Sequence, residues 1–168
     1  MAIGTVLYAA LMIPFNVLQI PSEGGVIVIR PAIAIPMLFG VLFGPIAGFV
    51  IGLLGSILSN FASFGAFSWS REIGSGLLGA VSGIAYFVIK GEEWTKAKAL
   101  AMVAMLAILA SIVGIGFTTM TDYIFQTGLS TIASFYSEAG TDAVNGAILT
   151  PLLLYMYAKT TTGHARRT

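Results

Sequence analysis

Long apolar runs, separated by short polar or glycine-rich segments, dominate this chain. The longest extends from Arg30 to Asn60, thirty-one residues with a single charge at the start. One membrane crossing needs about 20 residues, so this run is too long for one helix. Gly44 frees the backbone near its middle, and Pro45 removes a hydrogen-bond donor that a continuing helix would need. The pattern predicts two apolar helices joined by a tight turn.

The second of these helices carries small residues at a repeating spacing. They are Gly48, Gly52, Gly55 and Ser56. Small side chains allow helix backbones to approach closely in a membrane. We expect another helix to pack against this face.

Six apolar segments can be counted along the chain. They predict an all-α integral membrane protein, with one domain over residues 1–168. The predicted membrane helices cover about residues 2–18, 31–42, 45–60, 73–89, 99–121 and 143–158. The first segment lacks the basic flank and the cleavage site of a secretory signal, so we expect a retained first helix.

The basic residues predict the orientation of these helices. Six of the eight lie between the fourth and fifth helices or after the sixth; they are Lys90, Lys96, Lys98, Lys159, Arg166 and Arg167. Because Lys and Arg are enriched in cytoplasmic loops, both termini are predicted to be cytoplasmic, in a multi-pass protein of the plasma membrane. The outer side then receives most of the acidic residues and two arginines, with Asp122 at its border: Glu23, Arg30, Arg71, Glu72, Glu138 and Asp142.

Composition narrows the range of functions. Hydrophobic residues make up 57% of the chain and charged residues 9%, against about 25% charged in soluble domains. A net charge of +1 argues against nucleic acid as a partner. The chain has no cysteine, one histidine (His164, in the polar tail) and no G-x-x-x-x-G-K-[ST] motif for ATP. We therefore expect neither an enzyme nor a metal or cofactor site.

Polar residues at the predicted membrane border are the candidate chemistry. Such groups are costly in a membrane and are often functional. Together with nearby aromatic residues they have the composition of a small-molecule pocket on the outer side. The candidate substrate-binding residues are Arg30, Asn60, Trp69, Arg71, Glu72, Asp122, Tyr123 and Asn145.

Structural roles are open for several of these residues. Arg71, Glu72 and Trp69 are also typical of anchors at the membrane–water interface. For Arg30, the alternative is a structural ion pair with Glu23 or Glu72. For Asn145, it is an interhelical hydrogen bond.

The sequence also resembles a known family. Four segments carry the resemblance, in this order: L-F-G-P-I-A-G-F-V-I-G-L-L-G, F-S-W-S-R-E-I-G-S-G-L-L-G, T-D at Thr121-Asp122 and V-N-G at residues 144–146. They are similar to motifs of S components of energy-coupling factor (ECF) vitamin transporters. The nearest branch is the riboflavin-type one. The sequence departs from it at Ser59-Asn60, where a lysine-aspartate step is usual, and at Phe67, which stands in place of a second tryptophan.

The resemblance implies a six-helix subunit that captures a vitamin at the outer face. It also implies docking onto a transmembrane T subunit with two cytoplasmic ATPases, through small residues of the first helix, for which Thr5 and Ala9 are the best match. Riboflavin or a similar planar heterocycle is the expected substrate. Thiamine or a precursor, a pyridoxine-like molecule, a queuosine-like base, and a purely structural membrane subunit are the alternatives.

Overall fold

The computed structural model describes residues 1–17, 19–22, 25–28, 30–65, 67–89, 94–125 and 132–165. Side chains are described for residues 1–15, 30–65, 67–89, 94–125 and 135–161. The predictions for Glu23, Lys90, Arg166 and Arg167 lie outside the described residues, as does the side chain of His164.

Helices account for most of the described chain. Six have ten residues or more and one, α5, is a single turn; in order they are α1 (Ala2–Val17), α2 (Ala34–Phe43), α3 (Pro45–Phe64), α4 (Trp69–Ser82), α5 (Ala85–Val88), α6 (Ala97–Ile124) and α7 (Ile132–Ala165). The prediction of a helical protein is confirmed. A 3₁₀ turn over Pro31–Ile33 leads directly into α2.

Two helix boundaries differ clearly from the prediction. The predicted fourth helix begins earlier, at Trp69, and is interrupted after Ser82. The last helix begins at Ile132, eleven residues before the predicted start at residue 143. Hydropathy alone missed this N-terminal part of α7 because Glu138 and Asp142 make it polar, although both carboxylates bind Arg30 inside the bundle.

A small antiparallel hairpin connects α1 to the 3₁₀ turn. Strand β1 (Gln19–Ser22) pairs with β2 (Gly25–Val28), with Gln19 opposite Val28 and Ser22 opposite Gly25. The β-branched run in β2 favours this extended form. Strand β2 and the 3₁₀ turn both contact α7, so the hairpin lies beside the polar part of that helix.

The predicted turn between the second and third helices is confirmed. Gly44 alone separates α2 from α3, with φ of 96°, a conformation that glycine adopts readily. Its N–H donates to the Gly40 carbonyl at 2.8 Å, while Pro45 begins α3 at a position where its missing donor costs nothing.

The small residues of α3 pack against α4, as their spacing predicts. A Cβ added at Gly48 would lie 2.3 Å from the carbonyl oxygen of Gly79, and one at Gly52 would lie 2.2 Å from that of Ser75. The two backbones are therefore in direct contact, and only glycine fits at these positions. Gly55 meets the ring of Tyr8 on α1 instead.

The helix directions follow from these contacts. Tyr8 lies at Gly55 and Gly4 at Ile51, so α1 runs parallel to α3. The pairs Gly48–Gly79 and Gly52–Ser75 make α4 antiparallel to α3. The ends of α1, α3 and α6 and the beginnings of α4 and α7 consequently meet at one end of the bundle, which we call the polar end.

Large apolar side chains cover much of the outer surface. Ile3 and Val6 on α1, Ile46 on α3, and Met105 and Ile112 on α6 are exposed. Apolar surface of this extent is typical of contact with lipid or with another protein. By length and composition, α3 and α6 are suited to cross a membrane, while α1 and residues 31–43 form shorter apolar helices.

The first helix turns its small residues inward. Thr5 and Ala9 are each only 7% exposed, and the Thr5 carbonyl faces Gly55 of α3. The expectation that these two residues dock onto a partner stays a prediction; within this chain both side chains pack inward. A small-residue pattern does not distinguish a face that meets a partner from one that meets the chain's own helices.

Candidate ligand-binding site

An ion-pair network joins the start of the 3₁₀ turn to α7. The Arg30 Nη2 atom donates to Glu138 Oε2 at 3.2 Å and to Asp142 Oδ2 at 3.1 Å. Asp142 is fully buried. Arg71, at the start of α4, lies 3.6 Å from the other oxygen of Glu138. Two arginines from separate elements thus converge on one helix face.

A second polar contact joins α3 to α4. The Asn60 side-chain amide donates to Glu72 Oε1 at 2.9 Å, and Glu72 is fully buried. Asn60 ends the small-residue face of α3, while Glu72 lies in the first turn of α4. The close approach of these two helices brings the pair together.

A third contact joins α4 to α6. The Ser70 hydroxyl donates to Asp122 Oδ1 at 2.7 Å, and both side chains are buried. The Thr118 hydroxyl lies 3.2 Å from the Ser70 carbonyl, one turn deeper along α6. Asp122 is therefore held as an acceptor between two helices.

Tyr8 lies between these contacts. Its side chain is almost fully buried, its hydroxyl hydrogen-bonds to the side chain of Ser75, and it is within electrostatic reach of Arg30, Asp142 and Glu72. Charged groups from three separate elements thus interact with one tyrosine. We call Tyr8, Arg30, Glu72, Asp142 and Asn145 the polar cluster.

Several buried atoms of this cluster lack a hydrogen-bond partner within the described part of the chain. They are Glu72 Oε2, Asp142 Oδ1, Arg30 Nε and Asn145 Nδ2. Buried polar groups in folded proteins almost always have partners, and each exception needs an explanation. Two acceptors and two donors that remain available in one region are suited to a polar ligand.

The structure brings together most of the predicted site residues. Arg30, Asn60, Arg71, Glu72 and Asp122 all bond at the polar end of the bundle, and Asn145 lies three residues beyond Asp142 on α7. Of the open alternatives, Arg30 forms a structural ion pair, but with Glu138 and Asp142 instead of Glu72.

Two predicted aromatic residues lie apart from the cluster. Tyr123 is 81% exposed, and Trp69 is partly exposed with its ring edge-to-face against Phe125. Tyr123 as a pocket residue stays a prediction; α6 continues to Ile124 and leaves this side chain exposed. Trp69 lies at the start of α4, at the surface of the polar end.

Sequence reasoning missed Tyr8, Ser70 and Asp142 as candidate site residues, and Glu138 as the ion-pair partner of both arginines. A usable signal existed for the carboxylates, since Glu138 and Asp142 are four residues apart and hence share a helix face. Tyr8 lies in an apolar helix without a charged residue, where an isolated tyrosine is not distinctive. Across the described ranges, the structure contains no group of three His, Cys, Asp or Glu residues arranged for a metal ion.

Comparison with known families agrees with this architecture. The family model described as "ECF-type riboflavin transporter, S component" matches residues 1–159 of the 168. The chain therefore belongs to this family, a family of membrane transporter subunits and not of enzymes.

Curated relatives are similar over part of their length. A UPF0397 protein of Vibrio atlanticus (strain LGP32) is 35% identical over 101 residues, which are 57% of this chain and 54% of the relative. One of Streptococcus gordonii is 35% identical over 82 residues, or 49% and 44%. One of Lactococcus lactis subsp. cremoris (strain NZ9000) is 43% identical over 63 residues, or 38% and 33%. The chain spans about half the length, or less, of the relatives it matches.

Proposed function

We propose that this chain is the membrane-embedded, high-affinity substrate-binding subunit of an ECF-type importer. In this proposal it captures a vitamin-like heterocycle at the outer face and delivers it inward with a T subunit and two cytoplasmic ATPases. The observation that carries the proposal is the polar cluster, in which buried donors and acceptors remain available for a ligand. Membership of the S-component family supports the same function.

The membrane arrangement is part of the proposal. Six crossings are made by α1, by α2, by α3, by α4 with α5, by α6 and by α7, and both termini are cytoplasmic. The polar end then faces outward, and Lys96, Lys98 and Lys159 lie at the opposite, cytoplasmic end. The ten residues of α2 are about 15 Å long, so this crossing depends on the 3₁₀ turn and the hairpin to reach the outer surface.

Riboflavin, or a similar planar heterocycle, is the substrate that the family description favours. The polar edges of such a ring suit the amide of Asn145 and the guanidinium of Arg30, whose nitrogen atoms remain available. A vitamin with a cationic ring, such as thiamine or a precursor, is the second candidate. The observation that favours it is Glu72, which is buried and bonds only to the neutral amide of Asn60 among the residues described.

Analysis of the co-purified ligand tests the proposal. The protein is purified in mild detergent and denatured, and the released small molecules are examined by absorbance and mass spectrometry. A stoichiometric heterocycle is expected, and a yellow preparation that releases a flavin would identify riboflavin. If no ligand is released and no vitamin of a broad panel binds, the proposal is wrong, and a structural membrane subunit is the better interpretation.

A further inference from the structure

We infer that the ligand of the polar cluster carries a positively charged nitrogen, and that Glu72 is the residue that selects for this charge. The inference rests on the importer function proposed above, and of its two substrate candidates it selects the cationic one over riboflavin. It is argued from the distribution of charge at the polar end, from the burial of Glu72, and from the position of Tyr8.

The two arginines of the polar end are already engaged by other carboxylates. Arg30 binds Glu138 and Asp142, and Arg71 lies against Glu138. Two further carboxylates of the polar end, Glu72 and Asp122, accept hydrogen bonds from the neutral side chains of Asn60 and Ser70. Within the described part of the chain, the polar end therefore has four carboxylates and two guanidinium groups.

Glu72 has the least compensation among these carboxylates. It is fully buried; one oxygen accepts from the Asn60 amide, and the other has no hydrogen-bond partner in the described ranges. A buried carboxylate without a cation is unfavourable, since water is removed and nothing replaces it. A cationic ligand group supplies the missing charge and the missing hydrogen bond together.

The second available carboxylate oxygen, on Asp142, belongs to the same region. Tyr8 is within electrostatic reach of both Glu72 and Asp142, although they lie on different helices, α4 and α7. Both carboxylates thus interact electrostatically with the same tyrosine. A heterocycle with a charged ring nitrogen or a protonated amino group suits this arrangement, because it offers N–H or cationic groups to the acceptors.

A neutral ring gains less at this site. Riboflavin brings no cation, so Glu72 stays without a counter-charge when riboflavin enters and the last water leaves. Specificity arises from this difference in binding free energy between charged and neutral ligands of similar shape. Glu72 is thus expected to determine selectivity as well as affinity.

Matched ligand pairs test the inference. Isothermal titration calorimetry compares thiamine with its neutral oxidation product thiochrome, and pyridoxamine with pyridoxine, with riboflavin as a further neutral ligand. We expect at least one cationic member to bind tenfold or more tightly than its neutral counterpart. In Glu72→Gln, this ratio should fall at least fivefold.

Glu138→Gln is the matched control. It removes the same formal charge from the same end of the bundle, but at a carboxylate that already has two arginine partners, so the ratio should fall less than in Glu72→Gln. Ligand-free Glu72→Gln should unfold at the same or a higher temperature than the unsubstituted protein, because it loses an uncompensated buried charge. This measurement shows that any loss of binding is not a loss of folding.

The outcomes separate the inference from the proposed function. If riboflavin or another neutral member binds as tightly as the cationic ones, or if Glu72→Gln keeps the ratio, the inference is overturned and the transport function stands. If no titrated ligand binds, the molecule released from the purified protein decides. A cationic molecule supports the inference, a neutral one overturns it, and the release of none contradicts the proposed function as well.

Discussion

Arg30 joins the segment before α2 to two carboxylates one helical turn apart on α7. Its Nη2 atom lies 3.2 Å from Glu138 and 3.1 Å from Asp142, residues that follow it by 108 and 112 positions in the sequence. Long-range contacts of this kind fix the hairpin side of the bundle against its last helix. The same contacts leave Asp142 Oδ1 and Arg30 Nε without partners in the described part of the chain, so one network serves both the fold and the site.

Arg30→Met is expected to destabilise the protein. Removing the guanidinium leaves the carboxylate of Asp142 buried without its cation, at a cost of about 3 kcal/mol in the free energy of unfolding. Thermal unfolding in detergent measures this change. Adding Asp142→Asn to Arg30→Met should restore part of the loss, since the double variant has no uncompensated charge at that position.

Arg71→Met is the matched control for this experiment. Its side chain is 36% exposed and its contact with Glu138 is longer, at 3.6 Å, so the expected loss is below about 1 kcal/mol. Equal stability of Arg30→Met and Arg71→Met would contradict the structural role assigned to Arg30.

Gly79→Ala is expected to disturb the contact between α3 and α4. A Cβ at this position would lie 2.2 Å from the Gly48 carbonyl oxygen, which is backbone and cannot move away alone. The two helices must separate, at a cost of about 1–3 kcal/mol or more. Thermal unfolding measures the effect.

Gly140→Ala is the matched control for Gly79→Ala, and it is expected to stabilise the protein. Gly140 lies inside α7, and an added Cβ there would meet nothing within 4 Å. Alanine favours the helix, so stability should rise by about 0.5–1 kcal/mol. Destabilisation of similar size in both glycine variants would count against the close helix packing described here.

Asn145→Ala is expected to weaken ligand binding at least tenfold while leaving the folded protein intact. Its amide nitrogen is buried without a partner in the ranges described, so alanine removes a donor that only the ligand would use. Calorimetric titration with the ligand identified from the purified protein measures the change. Tyr123→Ser, at an 81% exposed position, should bind as the unsubstituted protein does.

A loss of binding in Tyr123→Ser with none in Asn145→Ala would reverse this assignment. That result would place the ligand-binding site at the exposed aromatic residues near the end of α6.

Cysteine labelling tests the proposed orientation. The chain has no cysteine, so a single introduced thiol has no background. Phe67→Cys lies in an exposed position at the polar end, and Lys98→Cys lies near the start of α6 at the opposite end. In intact cells, a membrane-impermeant maleimide should label Phe67→Cys alone, and Lys98→Cys should react only after the membrane is opened. The reverse labelling pattern would contradict the proposed orientation and place the polar end on the cytoplasmic side.

The sequence predicted the helices well where apolar runs define them. The turn at Gly44-Pro45 and the packing of α4 on the glycines of α3 both follow from residue types with strong local preferences. The start of α7 was missed because its polar residues face Arg30, a partner more than a hundred residues away, and hydropathy carries no information on such a partner. The strands β1 and β2 were not predicted either, since two strands of four residues give a weak signal.

The site was predicted in part for the same reason. Charged and amide residues at the ends of apolar runs are conspicuous, so Arg30, Asn60, Glu72 and Asp122 were identified from sequence. Their pairing depends on helix directions and could not be read from the chain. Thr5, Ala9 and Tyr123 were assigned from pattern and resemblance, which do not show that Thr5 and Ala9 are buried and that Tyr123 is exposed.

Equilibrium binding to the purified chain tests the central claim most directly. The unsubstituted protein, Glu72→Gln and Asn145→Ala are titrated with a vitamin panel that includes riboflavin, thiamine, pyridoxamine and their neutral or charged counterparts. The account predicts one saturable site per chain for at least one heterocycle, weakened tenfold or more in both variants. Saturable binding that neither variant alters would contradict the placement of the ligand in the polar cluster, and no binding at all would contradict a substrate-capturing function.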